Sequence, residues 1–175
     1  VTLSDTASAL VGASGVTDAL YAIEKITGGS GNDTFIGLNL SGTTAYTLDG
    51  YTGTDVINLA SFASALTYTI GSGTAATHTV SSGTTSMSFT NIESISGSNS
   101  AADIFTVTFF SSGMTLNGGT DENDSVDYGT GTGTATALSV DLIGGKVIGG
   151  ANTQYLVNIE TVKTGSGNDT FAGGT

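Results

Sequence analysis

The sequence predicts an all-β chain wound as a parallel solenoid of about eight turns, and three observations point to it. Related segments recur at a spacing of about 68 residues, glycine-rich turns separate short alternating apolar runs, and the composition disfavours helices. The 175 residues include 27 glycines and no proline, cysteine or tryptophan, with only 10% charged residues. Threonine, serine, glycine and alanine take up the difference, a mixture that suits short strands and tight turns. One domain, 1–175, accommodates the whole chain.

The repeat has three segment types. The first is IEKITGGSGNDTF from Ile23, IESISGSNSAADIF from Ile92 and IETVKTGSGNDTF from Ile159. The second is TLDGYTGTDVIN from Thr47 and TLNGGTDENDSVD from Thr115. The third is LTYTIGSGTA from Leu66 and LSVDLIGGKV from Leu138, with a worn copy at Val1–Ser4. The units fall at approximately 1–65, 66–137 and a partial 138–175. One aspartate marks each loop: Asp33, Asp55, Asp103, Asp124 and Asp169, separated by 22, 48, 21 and 45 residues. The longer gaps are about twice the shorter ones, as though one turn in three had lost its aspartate. Turns of about 22 residues follow, with strands stacked in parallel.

Within each turn the pattern is strand, glycine loop, strand. Residues 104–109 and 138–142 alternate as half-buried strands do. The expected core is Ile26, Phe35, Leu48, Ile57, Ile95, Phe105, Leu116, Val126 and Val162. Acidic chains poor in apolar residues are often disordered, but here 38% are hydrophobic and grouped in patterned runs.

Net charge is −12, from 15 acidic residues against Lys25, Lys146 and Lys163. Duplex phosphates and anionic membranes would be repelled, so neither nucleic acid nor membrane insertion is expected, and no apolar run approaches the ~20 residues of a span. Cations are the natural partners. The lack of cysteine is compatible with an extracellular protein stabilised by metal.

The loops carry the chemistry. Residues 28–36, GGSGNDTFI, match the nonapeptide GGxGxDxUx throughout. Residues 165–172 match with Thr164 in the first glycine slot, and residues 50–57 with Tyr51 replacing the second glycine. Looser copies start at Gly97 and Gly118. Calcium seeks 6–8 oxygens at about 2.3–2.6 Å, and glycines let a turn aim its carbonyls inward. An aspartate after the turn places a carboxylate at the loop mouth, and stacking brings the next carboxylate near it. The expected pairs are Asp33 with Asp55 and Asp103 with Asp124; Asp169 is expected to pair with a turn beyond Thr175. Asp49, Asp121, Asn32 and Asn168 suit either ligation or a turn bond to their own backbone. Glu24, Glu93 and Glu160 recur in phase and either brace the loop or reach the ion.

On these loop motifs the sequence resembles the RTX family, the hemolysin-type calcium-binding repeats. The resemblance implies a right-handed parallel β-roll with calcium bound between adjacent loops, and export by a type I secretion system. It also implies a ligand set. Besides the five aspartates, this falls on Gly29, Gly31, Asn32, Gly50, Gly53, Gly118, Asp121, Asn123, Gly165, Gly167 and Asn168. Turns longer than two nonapeptides, and the periodic loss of the aspartate, suggest that calcium lines one edge only.

Catalysis finds no support. The single histidine, His78, has no motif around it and is expected at the surface; GxSxG and HExxH are absent. The chain is therefore expected to be a structural segment of a secreted or cell-surface protein such as an S-layer, filament or adhesin stalk. It would fold with calcium and associate with itself or with neighbouring repeats. One alternative is the calcium-roll appendage of a secreted protease, lipase or epimerase. Another is an ice- or glycan-binding solenoid, suggested by Thr-x-Thr pairs at Thr67–Thr69, Thr106–Thr108 and along Thr130–Thr136. Those pairs do not recur at one position in every turn, which argues against a regular hydroxyl face.

Overall fold

The computed structural model describes residues 8–11, 17–20, 24–36, 38, 46–72, 74, 76–108, 113–121, 123–129 and 136–173. The worn copy at Val1–Ser4 and most of the Thr130–Thr136 run lie outside them. Among the described residues there is no helix, so none is long and apolar enough to cross a membrane.

A first hairpin pairs β1 (Ser8–Val11) with β2 (Thr17–Leu20). The chain then alternates between two mixed sheets of eight short strands each. It runs through β3 (Lys25–Thr27), β4 (Thr34–Ile36), β5 (Tyr46–Asp49) and β6 (Val56–Asn58), changing sheet each time. Next come β7 (Thr67–Ile70), β8 (His78–Ser82) and β9 (Thr85–Thr90), which stay together in one sheet. Alternation resumes with β10 (Ser94–Ser96), β11 (Ile104–Val107), β12 (Thr115–Asn117) and β13 (Ser125–Asp127). A second trio follows, β14 (Leu138–Asp141), β15 (Lys146–Gly149) and β16 (Asn152–Val157), before β17 (Thr161–Lys163) and β18 (Thr170–Ala172).

One sheet has the order β18-β14-β15-β16-β12-β10-β6-β4, and the other β17-β13-β11-β7-β8-β9-β5-β3. Strands reached from the opposite sheet pair in parallel, as β4–β6–β10–β12–β16 and β7–β11–β13–β17 do. The two trios are antiparallel meanders. This corrects the expectation of uniform parallel turns of about 22 residues. The 48- and 45-residue gaps each hold a meander. In each meander the second turn is two residues long, Gly83-Thr84 and Gly150-Ala151, with the glycines at φ 62° and 60°. Such turns reverse the chain at once instead of sending it across to the other sheet.

Five sheet visits separate equivalent points of the repeat, and five is odd. The first-type segment therefore enters at β3 in one sheet and, one repeat later, at β10 in the other. Loops 28–33, 50–55 and 164–169 lead into β4, β6 and β18, whereas loops 97–103 and 118–124 leave β10 and β12. β4, β6, β10 and β12 run parallel, so these two groups of loops lie on opposite edges of the body.

The core lies between the sheets and forms one apolar cluster. Phe35, Ile57, Ile95, Leu116 and Leu156 line up on five adjacent strands of one sheet. Opposite them run Leu48 beside Phe89, and Tyr68 beside Phe105 and Val126. Tyr68 and Phe105 stack at 4.3 Å between ring centroids. Seven of the nine expected core residues are fully enclosed, and Ile26 and Val162 pack on the margin. His78 is corrected from surface to core. It is fully buried in β8, takes the Gly71 N–H on Nδ1 at 3.0 Å and lies against Phe89.

Candidate metal centre

Four of the five motif loops leave one sheet through a glycine, the fifth through Thr164, and all five enter the other just after an aspartate. The glycine N–H is bonded to the neighbouring strand's end: Gly28 to the Asp49 carbonyl at 2.7 Å, Gly50 to Thr90 at 3.0 Å, Gly97 to Asn117 at 2.8 Å and Gly118 to Val157 at 3.0 Å. These bonds stack the loops into columns, Gly28–Gly50–Asn91 on one edge and Gly97–Gly118–Asn158 on the other. The fit is tight. A Cβ on Gly50 would run into the Asn91 carbonyl, and one on Gly118 into the Asn158 carbonyl. Each column ends at an asparagine in the left-handed region, Asn91 at φ 52° and Asn158 at φ 49°, which asparagine tolerates better than most residues.

The carboxylates stack with the loops. The backbone N–H of Asp33 donates to Oδ1 of Asp55 at 2.8 Å, and that of Asp55 donates to Oε2 of Glu93 at 2.7 Å. On the opposite edge Leu66 donates to Oδ1 of Asp103 at 2.7 Å and Asp103 to Oδ1 of Asp124 at 2.7 Å. Asp124 in turn donates to Oε2 of Glu160 at 2.8 Å. Leu138 donates to Oδ1 of Asp169 at 2.9 Å. Every donor is the residue immediately before a strand or, for Leu138, the first residue of one, where the ladder of backbone bonds is only beginning. An acidic side chain from the next loop supplies the missing acceptor.

These columns concentrate negative charge away from water. Burial pushes the Asp103 carboxyl up to about 7, and the charges of Asp124 and Asp121 add to this against the N–H bonds it receives from Leu66 and Ser98. Burial likewise raises Asp124 to about 6, helped by Asp121 and Glu160 and opposed by the Asp103 N–H. Oδ2 of Asp55, Oδ2 of Asp124 and both oxygens of Asp121 are buried without a hydrogen-bond partner. Unsatisfied carboxylate oxygens among stacked negative charges fit a hard cation. Among the described residues no three His, Asp or Glu side chains gather closely enough to hold a metal by themselves, so backbone carbonyls would complete any ligand set.

Both expected aspartate pairs are neighbours. The expectation of one edge is corrected, because the odd number of sheet visits sends the Gly97 and Gly118 loops to the far edge. Asp169 accepts the backbone N–H of Leu138, the first residue of β14, on Oδ1. Asn32 takes the Thr54 N–H on Oδ1 at 2.9 Å, and Gly29 gives its N–H to Oδ2 of Asp33 at 2.6 Å. The Gly31 carbonyl packs against Gly53, and Gly167 packs against the Thr136 carbonyl. Gly165 is half-buried, while Asn123 and Asn168 are exposed. Glu93 and Glu160 brace the next loop's backbone. Asn91 and Asn158 escaped the sequence reading, although Asn-Ile-Glu occurs at both 91–93 and 158–160.

No family model, curated protein or solved structure matches the chain.

Proposed function

We propose that the chain is a calcium-binding β-solenoid segment of a secreted or cell-surface protein, with a structural or adhesive role and no catalytic one. The observation that carries the reading is the pair of stacked carboxylate columns, which hold buried oxygens without partners in a chain of net charge −12. Motif aspartates and loop carbonyls would supply the oxygens. A bound ion would supply positive charge between carboxylates that otherwise repel one another. Because the columns exist only when the loops are stacked, ion binding is linked to folding. Export unfolded through a low-calcium cytosol, followed by folding outside, fits that linkage.

The test is circular dichroism with light scattering during a calcium titration from excess chelator. A coil-to-β transition with particle growth is the expected result for an assembling surface segment. Full β-structure in chelator would sink the linkage, and failure to bind calcium would sink the reading.

One observation favours a second reading, an ice- or glycan-binding face. Thr47, Ser88, Thr79, Thr69 and Thr106 are register partners on five adjacent strands, all pointing outward and uncharged. The meander contributes Thr69, Thr79 and Ser88, which is why the row is invisible at repeat spacing. Uptake into a slowly growing ice front, abolished by Thr69→Tyr, would support it; exclusion from ice would remove the ice half of the reading.

A further inference from the structure

We infer that two loops, Gly50–Asp55 on one edge and Gly118–Asp124 on the other, hold the cations, while Asp33, Asp103 and Asp169 serve as backbone acceptors only; the inference rests on the calcium reading above. It turns on the first N–H after the loop glycine. In the Gly28 loop the Gly29 N–H goes to Oδ2 of Asp33 at 2.6 Å. In the Gly97 loop the Ser98 N–H goes to Oδ2 of Asp103 at 2.6 Å, and Leu66 occupies the other oxygen. The other two loops divert this N–H. Tyr51 donates to Oδ1 of Asp49 at 3.0 Å, and Gly119 donates to Oδ1 of Asn117 at 3.2 Å.

The residue ahead of the glycine decides the outcome. It is Thr27 or Ser96 where the aspartate is satisfied, and Asp49 or Asn117 where it is not. An Asp or Asn side chain there closes a turn onto the N–H two residues on. The aspartate at the loop's end then keeps one oxygen free. Asp55 and Asp124 are 1% and 0% exposed, and Oδ2 of each has no hydrogen-bond partner. Each such oxygen faces its loop glycine, onto which the Asn91 or Asn158 carbonyl also packs. On the second edge Asp121 adds two more unpartnered buried oxygens.

An all-oxygen, negatively charged surrounding selects a hard divalent cation of calcium's kind over transition metals. The Gly165 loop is excluded on the same grounds. Lys163 precedes Thr164 there, Asp169 caps Leu138, and none of its oxygens is both buried and unpartnered. The loops closest to the nonapeptide pattern are thus the ones that do not bind.

Calcium chloride titrated calorimetrically into the whole chain tests the assignment, with far-UV circular dichroism to verify folding. Two ions are expected for the unaltered chain. Asp55→Asn and Asp124→Asn should each lose one, since asparagine keeps the Oδ1 acceptor of the column but not the charge. Asp33→Asn and Asp169→Asn should keep both. Asp49→Ser and Asn117→Ser leave every motif aspartate in place and should weaken one site each by about tenfold or more, as loss of a supporting bond around a metal does. An ion lost from Asp33→Asn or Asp169→Asn would overturn the selection and leave the calcium reading standing. No binding by the unaltered chain would overturn both.

Discussion

Asp103 passes its backbone N–H to the carboxylate of Asp124 at 2.7 Å, and Asp33 does the same to Asp55 at 2.8 Å on the other edge of the body. The two pairs are 21 and 22 positions apart in sequence, yet they make the same bond with the same atoms. A residue that begins a strand lacks a ladder partner for its N–H, and the loop stacked on it supplies a carboxylate oxygen. The motif aspartate therefore has two tasks, bracing the neighbouring strand and carrying charge.

Those tasks separate on substitution. Asp124→Ala removes the acceptor and leaves the Asp103 N–H buried and unpaired, whereas Asp124→Asn keeps an oxygen there and removes only the charge. In chelator, Asp124→Ala should be less stable than Asp124→Asn by about 1–3 kcal/mol. Urea denaturation measures this directly. Equal midpoints for the two variants would mean that the hydrogen bond contributes nothing.

Loop stacking makes a second prediction. An alanine at Gly118 would press its Cβ into the Asn158 carbonyl and Oδ2 of Asp124, while Gly31 has nothing within 4 Å of its Cβ position. Backbone cannot step aside as a flexible side chain can. Gly118→Ala should therefore cost about 1–3 kcal/mol, the range of overpacked sites. Gly31→Ala should stay within about 0.5 kcal/mol of the unaltered chain. If both proved neutral in denaturation, the columns would be looser than described.

The repeat, the strands and the core could be read from the sequence because they rest on local signals. Ile95 and Leu116 alternate with polar neighbours, Phe35 and Ile57 sit in short apolar runs, and the loops between them are marked by glycine and aspartate. The meanders were readable in principle, since Val80-Ser-Ser-Gly-Thr-Thr-Ser-Met87 alternates about a two-residue turn. That stretch lies between the recurring motifs, so segment similarity does not show it. The swap of edges could not be read locally, because it follows from counting sheet visits over a whole repeat. Nor could the difference between the loops, which lies in which acceptor captures a single N–H.

Stacking between Tyr68 and Phe105 ties β7 to β11 across the point where the first meander ends. Phe105→Ala should destabilise by about 3–5 kcal/mol, as buried aromatic truncations do. Tyr68→Phe should go the other way. The Tyr68 hydroxyl is buried with no partner, so removing it relieves an unsatisfied group and preserves the stack. A thermal midpoint lowered by Tyr68→Phe would show that the hydroxyl is bonded after all.

Raised carboxylates give the chain an unusual response to acid when calcium is absent. Asp103 is lifted to about 7 and Asp124 to about 6, chiefly by burial, from the ordinary value of 3.8. Between pH 4 and 7 the folded chain thus holds more protons at these sites than the unfolded chain. Stability rises with pH only where the unfolded state holds more protons. Here the sign is reversed: the contribution is fully present below about pH 4 and is lost as pH climbs through 6 and 7. The Asn91 bond to Asp49 and the Lys163 bond to Asp127 hold those two carboxyls low, so they act mainly below pH 4 and do not mask the trend. In chelator, the urea midpoint should rise as pH falls from 7.5 to 5, and Asp103→Asn should flatten most of the slope. Calcium should act in the opposite direction, because it binds deprotonated carboxylates and its hold strengthens with pH. The calcium-bound and calcium-free midpoints should therefore diverge towards neutral pH. A calcium-free midpoint that stays level or falls on acidification would mean that these carboxylates meet water in the folded chain.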